Sequence, residues 1–515
     1  MRVTTPILAA AAAPDAIHVD PATGRFMDSH GRTRIFHGVN VVFKQAPWLP
    51  VTDAFDAANS VAAVDIENMR KWGFNVVRLG VMWPGVESSP GQINGTYLEE
   101  VEKLTTALGD AGIYTLVDLH QDLLSRHFCG EGVPEGYVDD LLADPTSPLS
   151  KTLPFPLPAG LKPTPLDKDR YPSLAECLKE TFGAYYESER VGELFKELYT
   201  PGRPLHGGYL RYWRAVAEKF AEAPQVVGYE LLNEPSGFCL NGTIESCLRI
   251  PFFSNHVEGQ KLAPLYQAAA AEIRQVDKTT PIFYEPVPDP KFVPGALPFF
   301  PERVLDNDTQ QVFAYHVYCS PGATADDALC KLTQALSGAE YYGFLKKNTG
   351  VGGFLTEFGA VGPAKGELDQ IARLLDTADA HLQSWTYWQL KYFHDITTQD
   401  ADEPLYDGKG NLESAKVKML SRTYAPAIAG KAIRMRFDDA SSVFTLTYLP
   451  TVTSAPTEVY LSEELRYSAG YSVDVSHPKC VSQERQPNLL LLHAVDGCEK
   501  VEVVVTVKPA ADLMV

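Results

Sequence analysis

The chain has 515 residues, 45% of them hydrophobic and 21% charged, a composition that excludes extensive disorder. Its length exceeds one ordinary core and calls for a large domain with a smaller companion, or for two to three ordinary domains. A formal net charge of -20 argues against nucleic acid or an anionic membrane as a partner through a general field, because phosphates are repelled.

Residues 1–14 carry one Arg, a short Ala-rich apolar stretch and small residues before Pro14, the make-up of either a secretion signal with a short basic region or a flexible arm. Eight apolar runs follow with helix-length segments between them: Phe36–Val42, Val76–Val81, Tyr114–Leu119, Val226–Leu232, Pro281–Val287, Val312–Tyr318, Gly353–Glu357 and Ser384–Leu390. Intervening stretches such as YLEEVEKLTTALGDAG repeat apolar residues at helical spacing, so the α/β pattern predicts a (β/α)8 TIM barrel over residues 15–428. The connection from about Gln121 to Val226 is too long for a plain crossover and predicts an insertion walling the barrel mouth. From residue 429 the chain alternates apolar and polar residues between turns, which predicts a C-terminal antiparallel β-sandwich over 429–515. No stretch reads as a transmembrane anchor.

Eight cysteines without a CxxC pair suit disulfides better than zinc and point to a secreted or extracellular protein. Sequence neighbours suggest Cys129–Cys177, Cys239–Cys247, Cys319–Cys330 and Cys480–Cys498, although spacing does not fix connectivity.

In a parallel barrel the C-terminal strand ends carry the chemistry. Here they present Arg78 (strand two), His120 with Asp122 (strand three), Asn233–Glu234 (strand four), His316 and Tyr318 (strand six), Glu357 (strand seven) and Trp388 (strand eight). A single strand-end glutamate can equally be a structural ion-pair partner. Two that open into one cleft meet the requirement of glycosidic bond cleavage. In a retaining double displacement Glu357 is the expected nucleophile, its pKa held low by Arg78 and Tyr318, and Glu234 the acid/base, with its pKa held high beside an apolar wall and His316. Asn233 is expected to bond a sugar 2-hydroxyl, Trp388 to floor the sugar, and His120 and Asp122 to bind hydroxyls. The chemistry calls for no cofactor and no metal, since no His/Cys/Asp cluster stands at ligand spacing.

These residues resemble clan A glycoside hydrolases of family 5: NEP at strand four, His316-Val317-Tyr318 at strand six, the strand-seven Glu, the strand-two Arg and the strand-eight Trp all match. A narrower likeness, to endoglycoceramidases of the bacterial actinomycete type, comes from GVNVVFK at Gly38–Lys44, WxxVESSPGQIN from Trp83, LHQDLLSRHFCGEGVPEG from Leu119, and the cysteine pair after NEP. The resemblance implies a retaining mechanism that cuts the β-glycosidic bond between an intact oligosaccharide and the ceramide of a glycosphingolipid, presented in a micelle or membrane. It also implies that Lys44, Asp122, Asn233, Tyr318 and Trp388 contact the first sugars. Ser236-Gly237-Phe238 after NEP departs from the pattern, which leaves the outer subsites open. The apolar, uncharged stretches 152–161 and 292–301 have the composition of a lipid-accepting lip. The competing expectation is a family 5 β-glucanase or exo-β-glycosidase acting on a soluble glycan, with the same catalytic residues.

Overall fold

The computed structural model describes residues 14–156, 162–168, 170–180, 182–237, 261–288, 300, 303–305, 307–319, 323–395 and 403–510. The N-terminal stretch, Cys239 and Cys247, Phe238, residues 157–161 and most of 292–301 lie outside them.

Eight parallel strands close into a barrel: β1 (His37–Val41), β2 (Val76–Gly80), β3 (Tyr114–Asp118), β4 (Val226–Glu230), β5 (Ile282–Tyr284), β6 (Gln311–Val317), β7 (Gly352–Gly359) and β8 (Ser384–Trp388). Every residue of these strands is buried, as expected when helices cover the outside and side chains fill the inside. The helix Gly95–Asp110 illustrates the outer layer. Asn94 caps it by accepting a hydrogen bond from the Tyr97 N–H, and Leu98, Val101, Leu104 and Leu108 form the stripe that faces the barrel.

The two-residue period of the strands stacks the interior in layers. Phe36, Val76, Tyr114, Leu116, Val227, Phe283, Val312, Ala314 and Phe354 form an apolar floor, which Ile17, Val19 and Phe26 of the N-terminal segment plug from below. The Phe26 ring lies 5.6 to 6.2 Å from those of Phe36, Phe283 and Phe354. Each plugging side chain stabilises the floor by about 1.5–3 kcal/mol.

The C-terminal part is a sandwich of a seven-stranded and a four-stranded sheet. In the strand Val443–Pro450, the alternate residues Phe444, Leu446 and Tyr448 join Val503, Val505 and Val507 in the core between the sheets. The larger sheet also takes strands from residues 18–34 and 424–428, so its hydrogen bonding runs across the boundary at 428/429 expected from the sequence. It grips the barrel at the N-terminal ends of the strands. Buried Arg422 pairs with Asp379 at 2.8 Å, the Tyr424 hydroxyl donates to the Gly73 carbonyl, and the Tyr460 hydroxyl donates to that of Lys71. The catalytic ends of the strands are thereby left to the insertion after β3, which the Cys129–Cys177 disulfide staples. Cys319–Cys330 and Cys480–Cys498 are also bonded as expected. Among the described residues no helix is long and apolar enough to cross a membrane.

Candidate active site

Arg78 stands two residues above the floor residue Val76, and the strand period turns it into the barrel axis. All five of its N–H groups are engaged. Nε donates to Glu230; Nη1 donates to Asn40 Oδ1 at 3.0 Å and Glu357 Oε1 at 2.6 Å. Nη2 donates to Asn233 Oδ1 at 2.9 Å and lies 3.2 Å from Asp118 and 3.4 Å from Glu285. One buried cation therefore serves four carboxylates, which hold it charged against the cost of burial.

Glu357 reaches this layer only through an irregularity in β7. Residue Leu355 pairs with Tyr315 of β6, but His316 pairs with Glu357, so Thr356 is an extra residue. Strict alternation from inward-facing Phe354 would send Glu357 outward; the bulge turns it in. Its Oε2 accepts a hydrogen bond from the Tyr318 hydroxyl at 2.8 Å and lies 3.5 Å from His316 Nδ1.

Glu234 sits four residues past β4 with φ of +39°, a left-handed conformation that costs a non-glycine residue on the order of 1–3 kcal/mol. Two side chains hold the turn through three hydrogen bonds. Gln121 Nε2 donates to the carbonyls of Asn233 and Glu234 at 2.8 and 3.0 Å, and Glu285 accepts from the Glu234 N–H at 3.2 Å. The carboxyl projects upward to 2.8 Å from His316 Nδ1, and at 18% side-chain exposure it is more open than Glu357 at 6%. One carboxylate oxygen from each glutamate and a ring nitrogen of His316 lie within 4.8 Å of one another.

A second charged group adjoins the first through Asp118, which also lies 2.8 Å from His120 Nδ1. His120 stacks on Trp388 at 5.3 Å, and Lys44 Nζ lies 4.8 Å over the same indole. Lys44 pairs with Asp122 at 2.5 Å, Asp395 at 3.1 Å and Glu131 at 3.8 Å. The Trp388 indole N–H donates to Glu403.

Charge and burial oppose each other throughout. Burial works to discharge His120, but Asp118 and Asp122 lift it to about 10. Burial works against ionised Asp122 as well, and Lys44 with His120 nevertheless holds it below the usual carboxylate range. His316 is raised despite burial by Glu285 and Glu357, while burial pushes Glu285 up to about 8. The expectation that Glu357 is held low is overturned. Burial raises it and Glu234 adds to the rise, and together they outweigh the lowering by the nearby His316 and Arg78 charges.

The structure gathers every residue expected at the rim: Arg78, Asn233, Glu234, His316, Tyr318 and Glu357 around one centre, and Lys44, His120, Asp122 and Trp388 beside it. Sequence reasoning missed Asn40, Asp118, Gln121, Glu131, Glu230, Glu285 and Asp395. Asp118, Glu230 and Glu285 each sit at the end of an apolar strand run, and that lone acid was their available signal. Folding also gathers His120 with Asp122 and Glu131, and Glu230 with Glu285 and His316, close enough to share a cation, which spacing along the chain did not reveal; Lys44 and Arg78 lie among them.

Residues 49–394 match the family described as cellulase (glycosyl hydrolase family 5), and residues 422–507 match the glycoside hydrolase family 5 C-terminal domain. The chain is 33% identical to an endoglycoceramidase of Hydra vulgaris over 94% of this chain and 87% of that protein. It is 29% identical to endoglycoceramidase I of Rhodococcus hoagii over 87% and 80% of the two chains. The solved structure of endo-glycoceramidase II from Rhodococcus sp. superposes with a TM-score of 0.71 at 25% identity, covering 94% of this chain and 99% of that one. By sequence and by fold, the chain belongs to glycosyl hydrolase family 5 and, within it, to the endoglycoceramidases.

Proposed function

We propose that this chain is a retaining endo-β-glycosidase that cleaves glycosphingolipids between the oligosaccharide and the ceramide, with Glu357 as nucleophile and Glu234 as acid/base. The observation that carries the reading is the spacing of the two carboxylates. One oxygen of each glutamate within 4.8 Å of the other suits the roughly 5–5.5 Å separation of direct attack better than the about 6.5–9.5 Å across which an inverting enzyme holds its water.

Glu357, ionised with help from Arg78, His316 and Tyr318, attacks the anomeric carbon while the bond to the ceramide oxygen breaks. Glu234 gives its proton to that oxygen. Water then surrenders a proton to Glu234, its oxygen bonds the anomeric carbon, and Glu357 is released. Asn233 uses its carbonyl on Arg78 and one amide hydrogen on the Gln121 carbonyl, which leaves its second amide hydrogen for the sugar 2-hydroxyl. Lys44, His120, Asp122 and Trp388 form the polar wall and flat floor for the first sugars.

A lipid-linked substrate draws on the likeness to enzymes of that name and on the insertion after β3, where Leu153, Leu166, Leu174 and Leu178 are exposed at 46 to 56%. The three disulfides among the described residues support secretion, since such bonds persist in oxidising compartments, and a micelle or membrane surface is the natural setting for the substrate.

The test is digestion of glycosphingolipids in detergent micelles beside a soluble β-glucan. Intact oligosaccharide plus ceramide is expected, with turnover abolished by Glu357→Gln. Cleavage of the glucan with the glycolipid untouched would instead make the chain a β-glucanase, and release of single terminal sugars would make it an exo-glycosidase.

A further inference from the structure

Glu285 is buried, lies one residue beyond β5, and has no role in the mechanism above. Its two oxygens nevertheless reach both supports of Glu234. Oε2 accepts the Glu234 backbone N–H at 3.2 Å and so holds the left-handed turn that aims the carboxyl. Oε1 lies 3.3 Å from His316 Nε2, at charge-pairing distance without an aligned hydrogen bond, while the opposite ring nitrogen faces Glu234 at 2.8 Å. Arg78 lies 3.4 Å from the same Oε1.

An imidazolium whose Nδ1–H points at one oxygen of Glu234 leaves the other oxygen to carry the proton toward the departing group. Glu285 stands on the far side of the same ring. Among the described residues, Glu285 touches both the His316 nitrogen and the Glu234 backbone.

We propose that Glu285 is a positioning residue for the acid/base: by accepting the Glu234 N–H and meeting the far nitrogen of His316, it holds the left-handed turn and keeps the Glu234 carboxyl aimed at the leaving group. The proposal rests on the assignment of Glu234 made above.

The experiment compares kcat/KM for two glycosides of the same oligosaccharide: the ceramide glycoside, whose alkoxide leaves only with a proton, and the dinitrophenyl glycoside, whose phenolate leaves without one. A ratio measured on one sample does not depend on the fraction folded. In Glu285→Ala, kcat/KM for the ceramide glycoside is expected to fall about 30–100-fold, up to the lower end of what general acid catalysis supplies, and for the dinitrophenyl glycoside less than about 3-fold. Glu285→Gln, which keeps an oxygen for the Glu234 N–H, should recover part of the ceramide rate. Equal losses on both substrates would overturn the proposal, because a merely structural role lowers both rates together. Glu234→Ala run alongside separates the two failures. If it lacks the leaving-group dependence, the acid/base assignment falls; if it has the dependence and Glu285→Ala lacks it, only the role of Glu285 falls.

Discussion

Replacing Arg78 with methionine tests the electrostatic account most directly, because the side chain keeps its length and loses its charge. Asp118, Glu230, Glu285 and Glu357 all lie within 3.4 Å of the guanidinium in the intact protein. Breaking a buried pair by removing one partner costs about 3–5 kcal/mol, against a total stability on the order of 5–15 kcal/mol. At ~2 °C per kcal/mol for a large domain, Tm should fall by ~6–10 °C near pH 8. The pH dependence gives the sharper check. Burial already raises Glu285, to about 8, and Glu357. A carboxyl raised above its unfolded value of about 4.3 destabilises because the unfolded chain ionises where the native group resists it, so its penalty is absent below that pH and grows as pH rises toward the folded value. Loss of Arg78 removes an attraction that favours the ionised forms, so it widens this window. The Tm deficit should therefore be several degrees smaller at pH 5 than at pH 8, read by thermal denaturation in both buffers. A deficit that is the same at both pH values, or below ~2 °C, would refute the reasoning.

Tyr318→Phe removes one charge-assisted hydrogen bond to Glu357, worth about 1.5–3 kcal/mol, and should lower kcat/KM about 10–100-fold on ceramide and dinitrophenyl glycosides alike. Replacing Cys129 and Cys177 with serine opens a link across 48 residues, which chain entropy values at about 4 kcal/mol; limited proteolysis should cut the insertion first, and activity on micellar glycolipid should fall more than on a small glycoside. Arg422→Ala strands buried Asp379 between the sandwich and the barrel, and should cost about 3 kcal/mol in thermal denaturation while kcat/KM on a small glycoside at 25 °C stays within about 2-fold.

The order of eight strands, the sandwich after them and the rim residues were legible in the sequence. Each is a local pattern: an apolar run, a helical stripe, a polar residue where the run ends. The N-terminal plug was not legible, since two-residue strands such as His18–Val19 and Phe26–Met27 carry too little periodicity to read. Glu285 and Glu230 were missed because a lone acid at a strand end looks the same in sequence whether it faces the barrel axis or pairs on the surface.

Sequence by itself determined which side chains could carry the chemistry and which end of the barrel they occupy, because strand direction and spacing are properties of the chain. Tertiary structure alone decided that Glu357 faces inward, since the turn depends on one extra residue of β7 measured against its neighbour β6. It also decided the charge state of the centre. The balance between burial and one arginine shared by four carboxylates is a sum over residues brought together from β2, β3, β4, β5 and β7, and no segment of the chain contains that sum.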